Sequence, residues 1–265
     1  MVAIGVLALQ GSFREHAALL RRLPGVSVVE VRTPEELMSV QGLVIPGGES
    51  TTMALVAERW GLIPLLRDFL SSGKPIWGTC AGMIFLAERA EGTKSGGQAL
   101  LGGLDIAVSR NFFGAQINSF ETQLGAPECL RKFGGEDVFR AVFIRAPAVL
   151  QTGSGVEELA HYTLTEQEKD PAERLLHFVC VPLLCLCLTS TGGCGRLWVC
   201  VSFHQEPTSD LQWHQLFADM VFAHAGQTAV EQQAIQSSQD ALTGRTPARP
   251  ADLPVYGKQH LALAQ

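Results

Sequence analysis

A cysteine within a run of small residues is the first candidate for chemistry in this chain. Cys80 lies in Gly78–Gly82, which follows the apolar run Pro75–Trp77 and precedes a helical pattern. A side chain on a sharp strand-to-helix turn projects from the edge of a sheet. Small neighbours let the backbone make that turn and let a substrate approach. Cys80 is therefore a candidate nucleophile, although so short a motif also suits a buried structural cysteine.

A pair of glycines offers backbone donors to a developing negative charge. Gly47 and Gly48 lie in Pro46–Thr51, again between a strand-like run and a helical pattern. Backbone N–H groups in such a loop can form an oxyanion hole. An isolated glycine pair is more often a plain turn, but a cysteine on a similar turn favours the catalytic interpretation.

His204 and Glu206 are spaced to activate a cysteine. A cysteine nucleophile needs a base that accepts its proton, and a carboxylate can orient that base. In an extended segment, side chains two residues apart share one face. Three other histidines are interpreted as polar residues on helix surfaces: His16, His214 and His224.

The elements that must position these residues alternate in type through the first half of the chain. Expected strands are Ile4–Leu9, Val26–Val31, Gly42–Ile45 and Pro75–Gly78; expected helices are Phe13–Leu20, Thr51–Trp60, Ile63–Ser71 and Met83–Ala90, with a short helix from Pro34 capped by Thr33. This alternation predicts a three-layer α/β fold, a mostly parallel open sheet with helices on both faces. The active site of such a sheet lies at the carboxyl ends of its strands, where the cysteine and glycine runs both fall.

The second half of the chain is richer in strand-like patterns. Expected strands are Asp105–Arg110, Phe120–Leu124, Phe139–Ile144, Val156–Tyr162 and Gly195–His204, followed by a helix over Asp210–His224. The strand before His204 alternates regularly enough to specify one register. Residues 165–190 are expected to be the least ordered internal region. We predict one domain over residues 1–226 and a polar, disordered tail over 227–265.

Composition excludes several classes of function. The 265 residues are 46% hydrophobic and carry a formal net charge of -6, without a basic block for nucleic acid. No apolar run reaches the ~20 residues of a membrane helix, and the first residues lack the features of a secretory signal. The seven cysteines include no CxxC pair, so neither zinc nor a disulfide framework is expected. We expect a soluble, cytoplasmic protein.

Several runs together resemble the glutaminase subunits of pyridoxal 5′-phosphate synthases, a branch of the class I (triad) glutamine amidotransferases. The matching runs are Ile4–His16, Pro46–Met53, Gly78–Met83, Arg110–Gly114, Phe143–Pro147 and, more loosely, Ser202–Glu206. The resemblance covers about residues 1–160 and 195–224. It implies the flavodoxin-like fold of class I amidotransferases and the hydrolysis of L-glutamine to L-glutamate and ammonia.

The resemblance also implies a function for each matching residue. Cys80 attacks the carboxamide carbon, His204 acts as base and then acid, and Glu206 orients His204. The other residues implied are Gly48 and Ala81 for the oxyanion hole, Gly47, Gly48, Glu49, Arg110, Ile144 and Arg145 for glutamine binding, and Gln10 beside the oxyanion loop and the partner interface. The partner is a (β/α)8-barrel synthase that receives the ammonia for vitamin B6 biosynthesis. Pyridoxal phosphate is its product, so no cofactor or metal is expected in this chain.

Two departures keep other functions open. Gln205 replaces the proline that the family has between its histidine and glutamate, and residues 163–194 do not resemble the family. That segment is either an insertion or a stretch of non-coding sequence translated from a faulty gene model, and its cysteines Cys180, Cys185 and Cys187 have no expected catalytic part. The alternatives are a catalytically impaired subunit that only binds the synthase, and a triad amidotransferase that serves another synthase.

Overall fold

Strands and helices alternate through the first half of the chain. A computed structural model describes residues 1–92, 98–110, 112, 119–133, 137–163, 180–188, 197–201, 204 and 210–226. The first elements are β1 (Val2–Leu7), α1 (Phe13–Leu20), β2 (Val26–Val31), α2 (Pro34–Met38), β3 (Gly42–Ile45), α3 (Ser50–Arg59), α4 (Leu62–Ser71), β4 (Ile76–Thr79) and α5 (Ala81–Leu86). Thr33 caps α2 in a capping box with Glu36, which satisfies two backbone donors at the start of the helix.

The remaining elements are mainly strands. They are β5 (Ala87–Glu91), β6 (Leu104–Ser109), β7 (Phe120–Gly125), α6 (Glu128–Arg131), β8 (Val138–Phe143), β9 (Ala148–Thr152), β10 (Val156–Thr163), β11 (Cys180–Leu188), β12 (Leu197–Val201) and α7 (Gln212–His224). Among the described helices, none is long and apolar enough to cross a membrane.

One seven-stranded sheet forms the centre of the molecule. Its order is β10-β11-β12-β4-β3-β1-β2, and the five strands from β12 to β2 are parallel. β11 runs antiparallel to both of its neighbours. The mostly parallel open sheet that the sequence predicts is confirmed.

Helices cover the central sheet on both faces. On one face, Ile4 and Trp77 pack with α1, α7 and the β7–β8 hairpin, where Phe217 is one of the buried residues. On the other face, Leu43 and Ile76 pack with α2 to α5 and the small β5-β6-β9 sheet. Successive residues of a strand point to opposite faces, so Ile76 and Trp77 belong to different clusters. The three-layer arrangement follows from these two cores.

The helix expected over Met83–Ala90 is wrong beyond Leu86. Ala87 has extended backbone angles, φ -65° and ψ 148°, and Ala87–Glu91 pairs in parallel with β6. The residues in this strand are good helix formers, but their pairing with a distant strand overrides local propensity. The strand β9 and the short helix α6 were not predicted from the sequence either.

The strand before His204 forms as predicted. β12 pairs in parallel with β4, with Trp198 opposite Ile76 and Val201 opposite Thr79. Its other neighbour, β11, comes from the segment that does not resemble the family, and this part of the segment is a strand of the central sheet. Residues 164–179, 189–196 and 227–265 lie outside the described residues, so the low order of 165–190 and the tail stay predictions.

Candidate active site

Cys80 occupies a strained turn between β4 and α5. Its backbone angles are φ 46° and ψ -101°, a region that residues other than glycine rarely adopt. The Cys80 N–H donates to the Val201 carbonyl at 2.8 Å, and the Cys80 carbonyl accepts from the Ile84 N–H at 3.1 Å. A Cβ atom on Gly82 would overlap the Ile45 carbonyl oxygen, so only glycine lets α5 begin this close to β3. Strain of this kind persists where the surroundings hold it, typically at functional sites.

The glycine loop is anchored to the start of α1. The Gly47 carbonyl accepts from the Ser12 N–H at 3.0 Å, and the Glu49 N–H donates to Gln10 Oε1 at 3.0 Å. Because C=O and N–H point in opposite directions across a trans peptide, the Gly48 N–H points away from Ser12. The loop therefore presents this donor on the side that α1 does not cover.

Glu49 caps α3 beside the cavity. Its carboxylate accepts from the Thr51 N–H at 3.2 Å, the Thr52 N–H at 2.6 Å and the Thr52 hydroxyl at 2.7 Å. Partial burial raises the pKa of Glu49, but these hydrogen bonds outweigh burial, so the pKa lies below its ordinary value of 4.5. Glu49 is therefore a carboxylate at neutral pH.

Arg110 is held against the start of α3. Its Nη2 donates to the Thr51 hydroxyl at 2.8 Å and the Ser50 hydroxyl at 3.0 Å, and lies 3.5 Å from Glu49 Oε1. Both hydroxyls in turn donate to Gln98 Oε1, at 3.0 and 3.2 Å. Within the described part of the chain, the buried Arg110 Nε has no hydrogen-bond partner. The guanidinium is thus held in a fixed position at the edge of the cavity.

Arg145 supplies a second cation to the cavity. It follows β8, its side chain is exposed, and its φ of 46° is the second positive value on a residue other than glycine among the described residues. An exposed guanidinium on a constrained backbone is well suited to bind a carboxylate.

His204 lies over the glycine loop. Its N–H donates to the Val142 carbonyl at 2.8 Å in an isolated antiparallel bridge. The imidazole packs on Gly47 so closely that an added Cβ would overlap Cε1 and lie 2.9 Å from Nδ1. Gln205 and Glu206 lie outside the described residues, so the third member of the triad stays a prediction.

These side chains share a cavity of about 280 Å³, at the carboxyl ends of the central strands. This size suits a ligand as small as an amino acid, since pockets for drug-sized ligands start at about 300 Å³. The lining residues are Gln10, Gly48, Glu49, Ser50, Cys80, Ile84, Arg110, Ile144, Arg145 and His204. Gly47 lies behind His204, and Ala81 lies in the first turn of α5; neither is part of the lining.

Two residues of this cavity were not predicted from the sequence. Ile84 follows Cys80 by four residues, which is one helical turn, and Ser50 directly follows Glu49. The spacing of Ile84 was a usable signal. No sequence signal predicts that Gln98 accepts hydrogen bonds from the hydroxyls of Ser50 and Thr51.

Two histidines predicted on polar helix faces are instead completely buried. His16 and His214 are both 0% exposed, and the Nδ1 atom of His16 lies 3.0 Å from the Nε2 atom of His214. The prediction for His224 holds, since this residue is exposed at the end of α7. The reason for the error is that α1 and α7 pack against each other and the sheet.

Comparisons with known proteins identify the family of this chain. Residues 6–169 match the SNO glutamine amidotransferase family. The chain belongs to this family. Within the SNO family, it is 46% identical to the Arabidopsis thaliana protein named "Probable pyridoxal 5'-phosphate synthase subunit PDX2", over 96% of this chain and 100% of that one. It is 41% identical to the pyridoxal 5'-phosphate synthase subunit PdxT of Herpetosiphon aurantiacus, over 82% of this chain and 98% of that one.

A solved structure supports the fold of this SNO family member. A crystal structure of a glutamine amidotransferase matches it with a TM-score of 0.64 and 36% identity, over 82% of this chain and 98% of that chain. The Arabidopsis alignment covers more of the chain than the bacterial one does, so part of the sequence beyond the bacterial match aligns with a plant relative.

Proposed function

We propose that this protein is the glutaminase subunit of a cytoplasmic pyridoxal 5′-phosphate synthase. It hydrolyses L-glutamine to L-glutamate and ammonia, and the ammonia passes to a (β/α)8-barrel synthase subunit. The observation that carries the proposal is one small cavity lined by a strained cysteine, a histidine, a glycine loop and two arginines. Membership of the glutamine amidotransferase family and the names of the relatives support the same reaction.

Charge in the cavity fits the two charged groups of a free amino acid. Arg110 and Arg145 can pair with the α-carboxylate of glutamine, and the ionised Glu49 can accept from its α-ammonium group. Because the two charged groups of the substrate are held at one end, its carboxamide is left to reach Cys80. A neutral amide without an α-carboxylate should therefore be a poor substrate.

Acylation begins when the Cys80 sulfur attacks the carboxamide carbon. His204 accepts the thiol proton, and the N–H groups of Gly48 and Ala81 stabilise the oxyanion. The tetrahedral intermediate collapses with cleavage of the C–N bond. His204 then gives its proton to the leaving nitrogen, which releases ammonia and leaves a γ-glutamyl thioester on Cys80.

Deacylation restores the enzyme. His204 accepts a proton from water as the water oxygen attacks the thioester carbon. The second tetrahedral intermediate breaks its C–S bond, L-glutamate leaves, and the proton on His204 returns to the Cys80 sulfur. Glu206 holds His204 in the orientation that both steps need.

The decisive test removes the nucleophile in the presence of the barrel subunit. Cys80→Ala should abolish ammonia release from glutamine and leave binding of the barrel subunit intact, and Cys80→Ser should be similarly inactive. Cys129→Ala is the matched control, because Cys129 is a half-buried thiol in α6 and does not line the cavity. Ammonia release by the Cys80→Ala variant would refute the assignment.

Delivery of ammonia needs a separate measurement. With ammonium salt in place of glutamine, the complex that contains Cys80→Ala should still form pyridoxal phosphate, since only the source of nitrogen has been lost. Failure with ammonium as well as glutamine would show that the cysteine supports the synthase in some other way.

A further inference from the structure

Two buried histidines connect α7 and α1 to the residue before the nucleophile. The Nδ1 atom of His16 lies 3.0 Å from the Nε2 atom of His214, and the Nε2 atom of His16 lies 3.2 Å from the Thr79 hydroxyl oxygen. All three residues are 0% exposed. When His16 is neutral, one of its ring nitrogens donates and the other accepts, so the hydrogen bonds that join His214, His16 and Thr79 run in one direction.

Aromatic packing fixes the positions of both imidazoles. The Trp77 ring makes edge contacts with His16 at 5.1 Å and with His214 at 4.7 Å between ring centroids, and Phe217 packs on Trp77 at 5.8 Å. A polar group in such surroundings is costly to bury unless it is hydrogen-bonded. The two imidazoles and the hydroxyl therefore have little freedom to depart from this arrangement.

The hydroxyl at the end of this chain belongs to the residue that leads into the strained turn. Thr79 is the last residue of β4, and its peptide group continues into Cys80 with φ 46°. On one side of β4, the Val201 carbonyl of β12 accepts a hydrogen bond from the Cys80 N–H. On the other side, the Ile45 carbonyl of β3 leaves no room for a side chain at Gly82. Strain of this kind persists only if its surroundings over-determine the backbone, and His16 adds a constraint through the Thr79 side chain.

The helix that carries His16 also anchors the glycine loop. Ser12, immediately before α1, donates to the Gly47 carbonyl, and Gln10 accepts from Glu49. One short helix thus contacts the nucleophile turn through its buried face, and the residues that lead into it contact the oxyanion loop. Its position sets the distance between the two halves of the catalytic site.

We propose that His16, supported by His214, is a positioning residue for glutamine hydrolysis. Through Thr79 it holds the Cys80 turn in its strained geometry and in register with the Gly47–Gly48 loop. The kinetic part of this inference rests on the proposed function, whereas the geometric part does not.

A pair of substitutions at Thr79 separates positioning from packing. Thr79→Val keeps the shape of the side chain and loses the hydroxyl, whereas Thr79→Ser loses a methyl group and keeps the hydroxyl. Positioning predicts that Thr79→Val lowers kcat about tenfold with KM unchanged, a loss that corresponds to about 1.4 kcal/mol. It also predicts that Thr79→Ser stays within twofold of the parent. Packing alone predicts the reverse order, or a change in thermal stability without a change in kcat.

A double-mutant cycle tests whether His16 acts through the hydroxyl. In His16→Asn, the side-chain amide lies near the position of Nδ1 and is too short to reach the Thr79 hydroxyl. In His16→Gln, the longer side chain can reach that hydroxyl. His16→Asn should lower kcat like Thr79→Val, and the double variant should be no slower than either single one. Full additivity would overturn the proposal. His224→Gln, an exposed histidine on α7, is the control and should match the parent.

A second readout does not depend on glutaminase activity. The alkylation rate of Cys80 by iodoacetamide, followed by mass spectrometry of its peptide, should change at least threefold in Thr79→Val and His16→Asn and stay at the parental rate in Thr79→Ser. If the parent complex hydrolyses no glutamine, the proposed function fails and this comparison still decides the positioning. Equal alkylation rates in all four proteins, at a temperature where thermal melts show each one folded, would refute it.

Discussion

A methyl group added to Gly47 should impair catalysis without unfolding the protein. Among the described residues, Gly47 is not one of the glycines with a positive φ, so alanine can adopt its backbone conformation. The new Cβ would overlap Cε1 of His204 and lie 2.9 Å from Nδ1 and 3.3 Å from Nε2, where ordinary contacts start at 3.4 Å. The imidazole must therefore move by about 1 Å, and a displacement of that size in a catalytic group can lower the rate about 100-fold.

The assay for this prediction is steady-state ammonia release by the complex with the barrel subunit. Gly47→Ala should lower kcat about 100-fold, with a smaller change in KM and a similar thermal midpoint. Gly125→Ala is the matched control, because a Cβ on this exposed strand glycine would meet no atom within 4 Å. A Gly47→Ala variant with kcat within twofold of the parent would refute the idea that His204 acts from the position in the structure.

Three further predictions follow from the site. Arg145→Ala should raise the KM for glutamine more than it lowers kcat, because a carboxylate contact is made equally in ground and transition states; a pure loss of kcat would contradict this. Glu49→Gln should destabilise the fold by about 0.5–1 kcal/mol through the weakened cap of α3. Since the pKa of Glu49 is lowered in the folded protein, the extra stability of the parent over Glu49→Gln should be complete above pH 4.5 and should disappear as the pH falls through the lower folded value. Urea unfolding of both proteins at pH 7 and at pH 3.5 measures this difference. The isolated chain should hydrolyse glutamine slowly until the barrel subunit stabilises the loop with its N–H towards the oxyanion, so equal rates with and without that subunit would refute the coupling.

Local signals were sufficient for most elements of the first half of the chain. The bounds of α1, β2 and β3 agree with the apolar patterns, and Thr33 caps α2 as its residue type predicts. These features depend on periodicity and on contacts within a few residues. β5 was missed because its strand character comes from pairing with β6, whereas its own residues favour a helix.

The burial of His16 follows from helical spacing, whereas its residue type favours the surface. His16 lies on the stripe formed by Phe13, Ala17 and Leu20, whose spacing is that of the buried face of a helix. The burial of His16 is therefore predictable from the sequence when spacing is weighed above residue type. That His214 would lie opposite it could not be predicted, since this contact requires the packing of two helices almost 200 residues apart in sequence.

The residues that line the cavity were predicted from motifs and from the resemblance that these motifs carry, whereas their geometry comes from the structure. The cysteine turn and the glycine loop each follow a strand, and parallel strands bring such turns to one edge of the sheet. The hydroxyl and amide network around Arg110 was not predictable, because Gln98 has no sequence signal that links it to Ser50 and Thr51.

The order of strands in the central sheet has a consequence for synthesis on the ribosome. β4, which leads to the nucleophile, has β12 as a neighbour, and Trp198 of β12 pairs with Ile76 of β4. A nascent chain that has emerged only as far as β10 contains the cysteine, the oxyanion loop and both arginines, but neither the base nor the strand that braces the turn. Contacts between segments so distant in sequence form late and slowly. Activity should therefore arise only when nearly the whole domain has left the exit tunnel, and a chain terminated prematurely cannot waste cellular glutamine.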